Sequence, residues 1–509
     1  MKNLNKIKNF IKNNYFKLIL AFIYIMYFGL FLFQVFKSEN KSKLTITYFL
    51  VTFILITVGY IFLVKKILVK KEWHKIFFWV SIILGSIYLI FIPAIYGTDE
   101  LPHFLRIYQL SNGELIVSKE KLKNSKIPKD LDKFSEFDAG ISEKITYSNF
   151  FKKVNYKDNV VINSIVCAQY PLNHYIPQVI GMLLSKMLDL SPYFTLYLIR
   201  FFNLLFWTLI MTLAIKYFPV HKAAMAIFFT SPAVLSLVST CNMDVLPLAL
   251  IILLFSIILK YKKTNDSINK KDLFLIVITC LLFCTYKLFY IILLSFLFFI
   301  PYKSFKTKKN KNVFIIVLLL MSLSIDLIWS YGLSSFGSIS ADSGGAEQIK
   351  FVINNPFQYC YVLFNAYSSN FYYYFSNLFA GSEMCYSKAS INSLLVVTYI
   401  ILFIYIYYRN DTNDIKISLF EKSYIVIISI VLLVLVATSM YVGWTVSFEG
   451  IGGLNILGIQ SRYFFALIPL IMLLFRTKKQ KISNNIYTLM LLLNCILVLN
   501  TITSLICYK

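Results

Sequence analysis

The stretch FKLILAFIYIMYFGLFLFQVF, residues 16–36, carries no charged side chain after Lys17. At 1.5 Å rise per residue a helix of about 20 residues crosses the hydrocarbon of a bilayer. The run is too long for a signal-peptide core and lacks the small-residue cleavage pattern, so it reads as a retained span. Apolar runs of similar length recur outward from it along most of the chain: 58% of the 509 residues are hydrophobic, and the mean hydropathy is +0.69. Only helices and closed barrels satisfy their backbone in lipid, and runs of this length select helices. The expected fold class is an all-α polytopic membrane protein.

The net charge of +26 does not indicate a nucleic-acid partner, because the lysines gather in short loops between apolar runs. That is the positive-inside pattern. KNLNKIKNFIKNNYFK (2–17), KKILVKKEWHK (65–75), KYKKTNDSINKK (260–271) and KTKKNKN (306–312) are assigned to the cytoplasmic side. The chain then divides into 1–97, a cytoplasmic tail and three spans; 98–193, an extracytoplasmic loop subdomain with interfacial helices; 194–333, further spans; 334–390, a second extracytoplasmic loop; and 391–509, the C-terminal spans. YPLNHYIPQVIGMLLSKMLDLSP (170–192) is hydropathic enough to span, but that would reverse every later loop, so it reads as an interfacial helix. Leu273–Ile300, flanked by lysines on both sides, reads as two short helices turning near Lys287. The count is about thirteen spans, with the N-terminus inside and the C-terminus outside.

The eight cysteines show no metal-ligand spacing, and no phosphate loop, zinc motif or nucleophile elbow occurs. Candidate chemistry therefore rests on charged residues at membrane edges, where a charge is costly unless it has a role. In GTDELPHFLRIYQLSNG (97–113), a helix capped by Thr98 or Asp99, with Pro102 in its first turn and Gly113 past its end, puts Asp99, His103 and Arg106 on one face. Such a trio can take a proton from a hydroxyl or hold a divalent cation through Asp99, with Arg106 left for phosphate. The plainer reading is an N-cap and an interfacial anchor. Glu100 is one residue round the helix. Asp244, in TCNMDVLP (240–247), faces the same compartment or caps the next helix; Arg200 binds there or snorkels. Arg462 opens QSRYFFALIPL (460–470) from the external side, against the positive-inside bias. Asp326 is an intramembrane acid without an evident partner.

Five blocks in order, DELPHFLRIYQLSNG, YPLNHYIPQVIGMLLSKMLDLSPYFTLYLIRFFNLL, SPAVLSLVSTCNMD, TYKLFY and IQSRYFFALIPL, span about residues 90–475. Together they resemble a bacterial polytopic membrane family of unassigned function, domain-of-unknown-function family 2142, placed in the GT-C superfamily of lipid-phosphosugar-dependent glycosyltransferases. The resemblance implies a GT-C-like bundle with a helical first large external loop, and an inverting transfer of sugar from a polyprenyl-phosphate donor to an envelope glycan or lipid acceptor. It implies Asp99 as catalytic base or metal-associated carboxylate with Glu100 beside it, and Asp244, Lys287 and Arg462 as substrate-binding groups, the two cations on the donor phosphate. His103, Arg106, His174 and Arg200 complete the substrate-binding candidates. Ser461 stands where that family tends to have glycine, and Gly97-Thr98 where it tends to have proline. The implied location is a bacterial cytoplasmic (inner) membrane, with the site facing outward. A flippase, a polymerase or a non-catalytic accessory protein of cell-surface polysaccharide assembly is the alternative. The first two would place charges along a path with internal repeats, which the sequence lacks, and an accessory protein would not need Asp99.

Overall fold

The computed structural model describes residues 2–38, 43–69, 72–117, 125–132, 134, 151–162, 166–333, 344–381, 392–409, 415–475, 480 and 482–507. The remaining parts of the two expected external loops lie outside the described residues. The chain is mostly helical. Three long helices come first, α1 (Lys2–Lys37), α2 (Lys43–Val69) and α3 (Trp73–Phe91), then α4 (Glu100–Ser111). After a polar stretch come α5 (Ile176–Met187), α6 (Pro192–Tyr217), α7 (Lys222–Phe228), α8 (Pro232–Val238), α9 (Val245–Thr264) and α10 (Lys270–Phe283). The remainder is α11 (Lys308–Leu327), α12 (Gly345–Asn354), α13 (Pro356–Ser369), α14 (Phe371–Ala380), α15 (Ser393–Tyr408), α16 (Leu419–Met440) and α17 (Asn484–Cys507), with 3-10 helices at Leu288–Phe299 and Ser461–Leu467.

Among the described residues, eight helices are long and apolar enough to cross a membrane, which makes this an all-α polytopic membrane protein. Four further apolar helices, Ile176–Met187, Leu288–Phe299, Ser393–Tyr408 and Ser461–Ile471, are shorter. The spans at Val245–Thr264 and Asn484–Leu505 are mostly buried and form the centre, whereas Leu18–Lys37 and Thr45–Lys65 are mostly exposed at the periphery. Lipid removes most of the hydrophobic drive between helices, so close packing and inter-helix hydrogen bonds hold such a bundle. Ser81 meets Thr208 at 2.7 Å, Asn203 Nδ2 donates to Thr240 O, Ser239 Oγ to Gly85 O and Asn494 Nδ2 to Thr230 O.

Local sequence explains the departures from a simple bundle. The stretch 222–238 is two seven-residue helices, α7 and α8, because Pro232 lacks an N–H and cannot continue the helix before it. Leu273–Ile300 falls in two short helices, as its length suggests, turning at Cys284–Lys287. The segment 98–193, expected to form an external subdomain with interfacial helices, is not wholly helical: β1 (Ser125–Pro128) pairs antiparallel with β2 (Asn159–Ile162), Ser125 opposite Ile162. α5 packs along α6 and α4, and α6 packs on α3 and α9. This brings the N-terminus of α4 against the N-terminus of α9.

The two ends of α9 differ in charge. At its C-terminal end Lys260 Nζ lies 2.6 Å from Asp272, Tyr261 donates to the same carboxylate at 2.7 Å, and Lys262 pairs with Glu421. A 20-residue helix, about 30 Å long, separates this lysine-rich end from Asp244.

Candidate functional site

Four charged residues meet at the other end of α9, each at the start of a helical element. Asp99 precedes α4, Asp244 precedes α9, Lys287 precedes the 3-10 helix Leu288–Phe299, and Arg462 is the second residue of Ser461–Leu467. Arg462 Nη2 donates to Asp99 Oδ2 at 3.0 Å. Its Nε lies 3.0 Å from Asp244 Oδ2, but the N–H is not aimed at that oxygen. Asp244 Oδ1 accepts from Tyr286 Oη at 2.6 Å and from Lys287 Nζ at 3.1 Å. The Lys287 ammonium also sits 4.2 Å from the centroid of the Tyr463 ring, a cation–π contact. A small cavity beside Asp244 and Arg462 is walled by Leu237, Phe283, Tyr286 and Tyr290.

The two acids differ in exposure, and that separates their roles. The Asp244 side chain is 5% exposed and the Asp99 side chain 45%. Burial pushes the Asp244 carboxyl up, but Lys287, Arg462 and the Tyr286 hydroxyl outweigh it and hold the group well below the usual carboxylate range. Asp244 is thus a fixed anion. Neither acid caps its helix through its side chain. Asp99 has left-handed backbone angles, φ 59° and ψ 19°, a region that Asp tolerates better than most residues. An ordinary N-cap is extended and aims its oxygen at the first-turn amides; here the carboxylate meets Arg462 instead.

Glu100, expected beside Asp99 as a catalytic acid, has a different place. It is fully buried, and Arg200 grips it with two points, Nε to Oε1 at 2.7 Å and Nη2 to Oε2 at 2.6 Å. Oε1 also accepts from Cys241 N and Oε2 from Gly97 N. Arg200, expected to bind substrate, is fully buried and donates as well to the carbonyls of Leu89, Ile92 and Pro93. The pair ties the interior of α6 to the end of α3, the start of α4 and the turn after α8, so it positions Asp99 and the Asp244 turn without facing solvent. Glycine at 97 fits this: its N–H holds Glu100, and an added Cβ would meet the Thr240 side chain at 2.8 Å. The other departure, Ser461, donates through Oγ to Tyr374 O at 2.9 Å.

The face shared by Asp99, His103 and Arg106 is not preserved among their side chains. Arg106 is fully buried, with its donors committed to the carbonyls of Tyr170, Glu114 and Leu115 and to Gln109 Oε1. That leaves no guanidinium for phosphate. His103 Nδ1 lies 2.6 Å from Tyr175 Oη. Burial pushes its imidazole down to about 4, against the pull of Asp244 and Asp99, so it is neutral at neutral pH. His174 is buried likewise; its Nε2 faces Thr285 O at 2.9 Å, and burial takes it to about 4. Neither histidine supplies a positive charge.

The sequence also makes Asp99 a candidate for a divalent cation. Among the described residues no group of three or more His, Cys, Asp or Glu side chains could hold a metal ion, and Asp99 faces a guanidinium. Tyr286 and Tyr463 escaped sequence reasoning although each adjoins a cation that it singled out. A tyrosine in an apolar run carries no signal of its own until a buried partner for its hydroxyl or ring is known. Asp326 is buried in α11, 3.4 Å from Ser330 Oγ and apart from the cluster.

Residues 77–471 match the family described as "Predicted membrane protein (DUF2142)", a span that includes every charged residue of the cluster. No curated protein and no solved structure matches the chain.

Proposed function

The chain belongs to the DUF2142 family of predicted membrane proteins, and we propose that it is a GT-C-like membrane glycosyltransferase. In this reading it transfers a sugar from a polyprenyl-phosphate donor to an envelope glycan or lipid acceptor, at the extracytoplasmic face of a bacterial inner membrane, from a bundle of about thirteen spans. The observation that carries the proposal is the half-exposed Asp99 carboxylate on Arg462, beside Lys287 and the buried Asp244, at the end of α9 remote from the lysine-rich loops.

The charges of the cluster balance, two acids against two cations, so a donor phosphate needs a carboxylate to yield. Asp244 is held by Tyr286, Lys287 and Arg462, whereas Asp99 is the exposed partner. In the proposed mechanism the donor phosphate takes the Arg462 fork and releases Asp99, which accepts the proton of the acceptor hydroxyl as that oxygen attacks the anomeric carbon. The bond from the anomeric carbon to the phosphate oxygen breaks, and Arg462 and Lys287 neutralise the departing lipid phosphate. Its tail stays in the bilayer, which accounts for a site at a membrane edge. Two helix N-termini carrying acids and two carrying cations favour such an exchange of anions.

Two results test this reading apart from turnover. Arg462→Lys keeps the charge but loses the two-point geometry, and Arg462→Ala loses both. Affinity for lipid-linked sugar, measured by direct binding, is expected to fall in the order arginine, lysine, alanine. Equal affinities would remove Arg462 from the site. For sidedness, single cysteines replace the exposed Lys157 and Asp266 in a background without accessible native thiols. An impermeant thiol reagent on intact cells is expected to modify position 157 and spare 266; the reverse pattern would turn the site to the cytoplasm.

A further inference from the structure

The segment FVINNPFQYCYVLFNAYSSNFYYYFSNLFAG, residues 351–381, contains no Asp, Glu, Lys, Arg or His and has twelve aromatic residues. It falls within the stretch 334–390 expected to be an external loop. A loop in water would not expose such a surface without charges. We infer that α13 and α14 form a re-entrant helical pair whose aromatic face lies against the acyl chains of the leaflet at the Asp99 end of the bundle.

Hydrogen bonds give the depth of α13. Its buried face is Tyr359, Val362 and Ala366, at i, i+3 and i+7. Tyr359 Oη meets Thr438 Oγ1 at 2.6 Å and Tyr367 Oη donates to Leu433 O at 2.7 Å. The helix therefore runs antiparallel to α16 and descends along it. Leu433 is 14 residues from one end of the apolar helical stretch Leu419–Glu449 and 16 from the other (433 − 419 and 449 − 433). Tyr367 thus reaches the middle of a span. α14 then turns into the bundle: Phe379 packs against Phe228, Tyr399 and Phe403 at ring distances of 5.5, 6.1 and 5.4 Å. Gly381, at φ +82°, ends it so close to the start of α8 that a Cβ would lie 3.0 Å from the Ala233 backbone.

With 14 and 10 residues, about 21 and 15 Å, neither helix crosses a bilayer alone. Both keep their backbone hydrogen bonds inside the helix, the condition for entering lipid. The outward face carries Phe357 at 91% exposure, with Tyr361, Phe364 and Phe371 each above 60%. Ile427 and Ile430 of the neighbouring span α16 are exposed as well. A groove in the elbow between the two helices, lined by Cys360, Leu363, Phe364, Tyr367, Ser368 and Phe371, has the chemistry of an acyl chain. The other side of the elbow walls the segment that carries Arg462: Tyr367 packs on Phe464, and Tyr374 O accepts from Ser461. The inference does not depend on the reaction proposed above.

The test uses the full chain in phosphatidylcholine vesicles, with Cys360, Cys385 and Cys507 replaced by serine and one nitroxide attached through Phe364→Cys, Phe357→Cys or, as an aqueous control on α12, Glu347→Cys. The side chains of Glu347, Phe357, Cys360 and Phe364 are exposed, so folding is expected to survive their replacement. Collision rates with oxygen and with a water-soluble nickel chelate report depth. The label at 364 is expected to favour oxygen and to lie up to about 10 Å deeper than the label at 357, seven residues of helix earlier. Chelate access at 364 equal to that at 347 would overturn the inference in favour of a free external loop. Spin–spin broadening between copies at 364 would overturn it in favour of a protein partner.

Discussion

Asp99→Asn is expected to lower sugar transfer by roughly two or more orders of magnitude, the scale of losing a general base, while the protein folds and still binds its donor. The substitution keeps the shape and removes the charge. Asp99 makes no side-chain hydrogen bond to cap α4, so the helix does not lose a cap. The binding half of the result is the more discriminating. Because Asp99 occupies Arg462 at 3.0 Å and the proposed mechanism has phosphate displace it, the neutral amide is expected to bind lipid-linked donor at least as tightly as the wild type. Turnover with a defined donor and acceptor, and donor binding measured separately, check the two halves. Near-normal glycan modification in cells carrying only this variant would favour the accessory role. Lost transfer with weakened donor binding would make Asp99 a donor ligand and not a displaced base.

Breaking the Glu100–Arg200 pair is expected to cost folding rather than chemistry. Both side chains are fully buried and share two short contacts. Removing one partner of a buried ion pair leaves an uncompensated charge, worth about 3–5 kcal/mol. Glu100→Gln and Arg200→Met should each lower the thermal midpoint in detergent markedly, with loss of material in the membrane fraction. An apolar pair is often a neutral replacement for a buried ion pair. Here, however, the double variant Glu100→Leu, Arg200→Met is not expected to recover, because it also orphans the amides of Gly97 and Cys241 and the carbonyls of Leu89, Ile92 and Pro93. A Glu100→Gln protein of normal stability and reduced turnover would return Glu100 to the reacting groups.

The contrast between these neighbours shows where sequence reasoning stopped. Asp99 and Glu100 are adjacent carboxylates in one motif; spacing sets Glu100 one residue round the helix from Asp99, and the family resemblance still puts both at the reacting centre. A left-handed residue at 99 turns one side chain to Arg462 and leaves the next to Arg200, 100 residues on. Arg106 illustrates the same limit: helical spacing put it beside Asp99, yet its guanidinium is buried among carbonyls contributed by residues 114, 115 and 170. Helical periodicity states which Cβ atoms share a face, and long side chains then go wherever a buried donor can be satisfied. The uncharged run 351–381 was legible as a composition, but a stretch holding two short helices lacks the length that marks a span.

What the sequence by itself determined was the class, the position of the helix breaks and the separation of charge. Runs of about 20 apolar residues have no other solution in lipid. Pro232 and the 28 residues from Leu273 to Ile300 force short helices through local sterics and length, and the lysines mark one end of the bundle. Only the tertiary structure decided which charges meet. Asp99 and Arg462 are 363 positions apart, and Asp244 and Lys287 come from two further elements. Ion pairing depends on distance in space and on burial, neither of which a linear chain encodes until its helices are packed.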